Sequence, residues 1–146
     1  MAFKFPLAVV LKYRQEIEQR EERALLKCRE AVAMLQTQLA ELKAQRERLR
    51  VRQEETLAAG VLGDDLHYAA EQERSLDQIE EQLQRELSAA VADFDNQMKV
   101  FLAARQKREI LDALKKSQHK KYVEEEDRRE QSRVDELFNA RLRPNK

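Results

Sequence analysis

The sequence has little that would stop a helix. Its 146 residues contain two glycines, two prolines and no tryptophan. The prolines, Pro6 and Pro144, stand near the two ends, and both glycines, Gly60 and Gly63, fall in one central stretch, "LAAGVLGDDL", residues 57–66. In a helix interior Gly and Pro cost about 1 and about 3 kcal/mol relative to Ala. Their absence therefore leaves two uninterrupted tracts, residues 7–59 and residues 64–143. Aromatic residues make up 5% of the chain, and β-branched residues are sparse, which argues against a strand-built fold.

An excess of charge of one sign is missing too. The chain carries 28 basic and 28 acidic side chains, so it lacks the basic surplus that drives binding to nucleic acid. No run approaches the ~20 apolar residues of a membrane-crossing helix, and no membrane insertion is expected. The opening "MAFKFPLAVVL" has one lysine ahead of a short apolar run and no small-residue cleavage site, unlike a signal peptide. Cys28 is the single cysteine; an internal disulfide is impossible, which fits a reducing cytoplasm.

What remains is charge and straight-chain helix formers. Charged residues are 38% of the chain, and Ala, Leu, Glu, Gln, Arg and Lys dominate both tracts, the composition of a coiled coil. The expected fold is all-α, a long antiparallel two-helix coiled-coil hairpin over residues 1–146, the second helix longer than the first. The first helix is expected over about 7–58, the turn over about 59–64 and the second helix over about 65–142. At about 1.5 Å per residue the two tracts reach ~80 Å and ~120 Å. The glycines end the first helix and turn the chain, with Asp64 or Asp65 capping the second.

The apolar spacing supports the pairing. In the first tract Leu25, Cys28, Val32, Leu35, Leu39, Leu42 and Leu49 recur at steps of three and four, with Arg46 filling the gap, which is a seam seeking a partner helix. Upstream, Val10, Tyr13, Ile17 and Ala24 carry a shifted version of that stripe. The second tract reads Leu76, Ile79, Leu83, Leu87, Ala90, Phe94, Met98 and Phe101. Its steps of three, four and four approximate an eleven-residue period, which predicts loose, locally irregular packing. Folding back between the glycines sets residue i beside residue j where i + j is near 123, so Leu35 meets Leu87 and Cys28 meets Phe94. The same register sets basic residues against acidic ones: Lys43 near Glu80, Arg46 near Asp77, Arg50 near Glu73 and Arg52 near Glu71. Such flanks select orientation and register more than they add stability.

The longer second helix overhangs the start of the first by roughly thirty residues. Its end thins to Val134, Leu137, Phe138 and Leu142 among blocks of alternating charge. An unpaired helix of this kind is marginal in water; it is expected to fray or to find a partner. Phe3, Phe5 and Leu7 fall back along the hairpin, near residues 115–120. No chemistry is expected of this fold, because two helices enclose no water-free site. No catalytic residue, cofactor site or metal site is assigned. His67 and His119 are far apart and solvated, and Cys28 reads as a small core residue. The run "EEED", residues 124–127, points around the helix axis instead of at one ion. No glycine-rich phosphate loop is present.

The amino-terminal "FKFPLAVVLKYRQEIEQREERAL", with its aromatic-x-aromatic opening running into Glu-rich helix, resembles the start of flagellar FliJ proteins. The length, the central turn and the closing "DELFNARLR" fit the same family. The resemblance implies a non-enzymatic, soluble component of the bacterial flagellar type III export apparatus. It implies an antiparallel coiled coil similar to the central stalk of rotary ATPases, monomeric alone and peripheral to the inner membrane at the flagellar base. Its terminal end would associate with the hexameric export ATPase, and its hairpin side with the cytoplasmic region of the export gate; export chaperones are further partners. Gln38, Leu42 and Leu76 match residue types associated with gate binding and Ile79 is a similar apolar replacement, while Gln45, Leu49 and Gln72 stand where aromatics are expected. Leu42, Leu76 and Ile79 also read as seam residues. Val134, Leu137, Phe138 and Leu142 are the expected contacts with the ATPase ring. An injectisome stalk protein and a structural coiled-coil scaffold are the alternatives; a prefoldin-like holdase is disfavoured because no strand signal accompanies the helices.

Overall fold

A computed structural model describes residues 2–60 and 63–142, and its secondary structure is two helices without strands. Helix α1 spans Ala8–Ala59, 52 residues, and helix α2 spans Gly63–Leu142, 80 residues. Both helix types and both lengths follow from the absence of interior Gly and Pro. Ahead of α1 the chain already turns helically: the Ala8 N–H donates to the Phe5 carbonyl at 3.1 Å and the Leu11 N–H to the Leu7 carbonyl at 2.9 Å. Pro6 sits at this first turn, where its fixed φ is favourable and its missing N–H costs nothing.

At the other end of α1, Gly60 takes a φ of +89° and donates its N–H to the Leu57 carbonyl at 3.3 Å. This left-handed residue is the expected glycine cap, and its amide satisfies one of the last carbonyls of the helix. Val61 and Leu62, the middle of the expected turn, lie outside the described residues. The capping expectation needs correction. α2 already begins at Gly63, so Asp64 and Asp65 lie inside its first turn. There they complement the positive end of the helix dipole instead of standing at the cap position.

The chain divides into two compact units, one formed by residues 21–101 and one by residues 1–20 with 102–146. They are called here the turn unit and the terminal unit. Within each, α1 and α2 run antiparallel. In the turn unit the Arg46 guanidinium grips both Asp77 and Glu80, and the Gln97 amide donates to the Glu21 carbonyl at 3.1 Å and to its carboxylate at 2.6 Å. In the terminal unit Arg108 binds Glu18, and Phe3 packs on His119 and Tyr122. The pair of Arg46 with Asp77 meets the expected register to the residue, and the others fall within about five residues of it.

Three of the expected cross-helix pairs are not formed. Glu80 goes to Arg46 and not to Lys43, and Arg50 pairs along its own helix with Glu47 at 2.7 Å and Glu54 at 3.0 Å. Glu71 faces His67 at 3.2 Å in place of Arg52. Partners one turn away are already positioned by the helix, whereas an exposed cross-helix pair must order two long side chains for little gain.

The seam of α1 follows the expected positions, with Leu39 and Leu42 buried and Leu25, Cys28, Val32, Leu35, Arg46 and Leu49 half-buried. That of α2 follows them at all but one: Leu76, Leu83, Leu87, Ala90, Phe94, Met98 and Phe101 are covered and Ile79 is not. Glu80 and Gln97 are covered as well, so that Leu76, Glu80, Leu83, Leu87, Ala90, Phe94, Gln97 and Phe101 run in alternating steps of four and three. This is a heptad repeat, the geometry of a left-handed supercoil. The expected eleven-residue period arose from counting apolar residues only. Glu80 and Gln97 occupy seam positions because each is satisfied across the helices by Arg46 and Glu21, while Ile79 stays exposed.

Candidate partner-binding surfaces

The turn unit is held by leucine. Leu39, Leu42 and Leu76 are its buried side chains, each contributing about 1.5–3 kcal/mol through removal from water. Of the residues expected to meet an export gate, Leu42 and Leu76 are therefore inside the seam, at 6% and 9% exposure. Gln38 is half-buried beside them, and Ile79 is the accessible apolar member at 47%. The four do not form one continuous exposed patch.

Farther toward the turn the seam loosens. A groove of about 380 Å³ is lined by Gln45, Arg48, Leu49, Arg52 and Gln72. An adjoining apolar cleft of about 420 Å³ is bounded by Leu49, Leu57, Leu66, Tyr68 and Ala69. Gln45, Leu49 and Gln72, the residues standing where aromatics were expected, thus border open space. Leu57, Leu66 and Tyr68 are exposed and were not singled out in the sequence. Their signal is an apolar cluster on both sides of a glycine turn, too short for any periodic pattern.

The terminal unit is built differently. Its buried residues are Phe5, Leu11 and Ala104. Next to them the seam is charged: Arg108 donates to Glu18 at 2.5 and 3.1 Å and to Asp112 at 2.7 Å. The two carboxylates, Glu18 foremost, hold the guanidinium above its already high ordinary pKa. Phe3 lies edge-on to His119, ring centres 5.2 Å apart, and 5.5 Å from Tyr122. The expectation that the amino-terminal aromatics pack near residues 115–120 holds for Phe3.

Beyond Glu126 every residue of α2 to Leu142 is exposed, including Val134, Leu137, Phe138 and Leu142. The helix continues to Leu142 all the same. Ion pairs one turn apart, Arg129 with Glu126 at 3.6 Å and Arg133 with Glu130 at 3.7 Å, support it locally. Its four large apolar side chains recur at helical spacing and are all exposed among the described residues.

Among the described residues no group of His, Cys, Asp and Glu is placed to hold a metal ion. His67 is exposed beside Glu71, and Cys28 is half-buried on the seam. No helix of the described residues is long and apolar enough to cross a membrane. The family described as flagellar FliJ protein matches residues 3–145, nearly the whole chain. No curated protein and no solved structure matches it.

Proposed function

We propose, from the premise that this chain belongs to the flagellar FliJ family and so is a component of the flagellar type III export apparatus, that it is a non-enzymatic stalk. In this role it joins a hexameric export ATPase to the cytoplasmic region of the export gate and assists the export of flagellar substrates, export chaperones being further partners. It works at the flagellar base, peripheral to the inner membrane.

One observation carries this reading. Helix α2 runs on through residues 127–142 with every side chain exposed, Val134, Leu137, Phe138 and Leu142 among them. A helix with no packing of its own and a spaced apolar stripe is suited to a ring pore, which would bury the stripe and pair the alternating charges. The gate contact is assigned to Ile79 and Gln38, with Leu42 and Leu76 holding the seam beneath them. The groove beside Gln45, Leu49 and Gln72 adds space for partner side chains.

Deletion of residues 127–146 tests the assignment. The cut spares Tyr122, which Phe3 packs against, and the half-buried Glu126. The shortened chain is expected to lose only the helical signal of the deleted residues and to keep its melting temperature, while binding the cognate hexameric ATPase at least about tenfold more weakly and losing its stimulation of ATP hydrolysis. Undiminished binding and stimulation would refute the ring contact. Ile79→Asp is expected to impair gate binding and leave ATPase binding intact.

A further inference from the structure

The apolar residues of the terminal unit are largely on its outside. Its seam positions on α1 are Leu11, Arg14 and Glu18, and on α2 they are Ala104, Arg108 and Leu111. Charge thus occupies the place where a two-helix pair normally keeps its leucines. The large apolar side chains are displaced to one flank. Val10 and Ile17 each precede a seam residue of α1, and Leu114 has the corresponding place on α2. In an antiparallel pair the positions that precede seam residues on both helices lie on the same side. The register sets Val10 across from Leu114, with Tyr13 and Ile110 beside them. Tyr13 is 58% exposed and Ile110 61%. This is the shifted stripe of the amino-terminal sequence, and it is a second apolar face separate from the seam.

The charges along the α2 edge of that face have one sign. Lys107 and Lys121 stand one heptad before and one heptad after Leu114, on the same line of α2. Neither makes an ion pair among the described residues, although Arg105, Arg108, Arg129 and Arg133 on the same helix all do. An apolar strip with unpaired lysines at both ends is complementary to one kind of surface.

We propose that the face formed by Val10, Tyr13, Ile17, Ile110 and Leu114 docks an amphipathic helix of a partner protein, a helix whose apolar stripe is bordered by acidic residues. The docked helix completes a three-helix layer over a stretch whose own seam is too polar to exclude water well. Apolar anchors fill the strip, and carboxylates at its edges meet Lys107 and Lys121. This surface is separate from the exposed end of α2 assigned above to the ATPase ring.

The test uses the full chain and two fluorescein-labelled synthetic helices with the same leucine stripe, one bordered by glutamates and one by lysines. The glutamate-bordered helix is expected to bind and the lysine-bordered one to bind much more weakly. Tyr13→Ser with Ile110→Ser should weaken binding at least about tenfold at an unchanged melting temperature, since both side chains are exposed. Lys107→Glu with Lys121→Glu should reverse the preference between the two helices. Deletion of residues 127–146 should leave probe binding unchanged, which separates this surface from the ATPase contact. Equal binding to wild type and to the Tyr13/Ile110 variant, or no binding of either probe, would overturn the proposal. So would sedimentation equilibrium showing a dimer that the Tyr13/Ile110 variant abolishes, because the face would then belong to a second copy.

Discussion

The two units solve the same packing problem with opposite placements. In the turn unit leucines fill most of the seam, interrupted by Arg46 with Glu80 and by Gln97 with Glu21, and other arginines such as Arg50 pair on the outside with Glu47 and Glu54. In the terminal unit Glu18, Arg108 and Asp112 hold the inside, and Val10, Tyr13, Ile110 and Leu114 are exposed. An apolar seam stabilises a pair of helices by itself. A charged seam fixes register but contributes little net stability, because much of the attraction offsets desolvation. The turn unit therefore has what it needs from its own chain, and the terminal unit has the surfaces of something meant to be covered.

The largest test of that contrast is Leu42→Ala. A buried seam leucine should cost about 2–3 kcal/mol in urea unfolding, near the low end for core truncations because two helices can close partly over the gap. A loss below about 1 kcal/mol would mean that leucine burial does not dominate the turn unit.

Next in size are changes at Glu18 and Arg108. Arg108→Leu alone leaves a half-buried carboxylate without its partner and should cost about 1–3 kcal/mol. Glu18→Leu with Arg108→Leu puts the apolar pattern of the turn unit into the terminal one, and stability should return to wild type or exceed it. A double variant no more stable than Arg108→Leu alone would show that the ion network is itself the stabilising element, and losses that simply add would show that the two groups do not interact at all.

The smallest effect concerns charge on the outside of the turn unit. Hydrogen bonding from Arg50, then its charge, lowers the Glu47 pKa below the ordinary 4.5. A depressed carboxyl supports the fold above its unfolded pKa, and that support fades as pH falls through the lower folded value. In an NMR titration Glu47 should protonate below pH 4.5, and Arg50→Gln should bring it back to the ordinary value. Global stability should hardly respond, since the group is fully exposed.

Much of the fold was legible because its signals are local. The absence of interior breakers predicted helices over about 7–58 and 65–142, and the structure has them at Ala8–Ala59 and Gly63–Leu142. The pair of Arg46 and Asp77 was legible because charge complementarity and turn position gave the same register. The seam of α2 was misread where it is polar, since a search for apolar spacing passes over Glu80 and Gln97 and accepts Ile79 in their stead. The clue lay in the regular steps from Leu83: counting back three residues reaches Glu80, opposite a cluster of arginines. For the gate-binding candidates, sequence spacing alone could not separate Leu42 and Leu76, which are covered, from Ile79, which is not, because that depends on which way each side of the helix faces its partner.

The heptad seam also governs how force passes between the helices. In either unit, helices meshed by such a repeat can slide along each other only in jumps of seven residues, about 10 Å. A jump toward the carboxyl end of α2 would take Arg46 from Asp77 and Glu80 to Gln84 and Leu87, and a jump the other way would take Glu18 from Arg108 to Phe101. The polar seam residues therefore act as keys in a shaft. A push or a torque applied to one helix is handed to the other without slippage until those contacts shear.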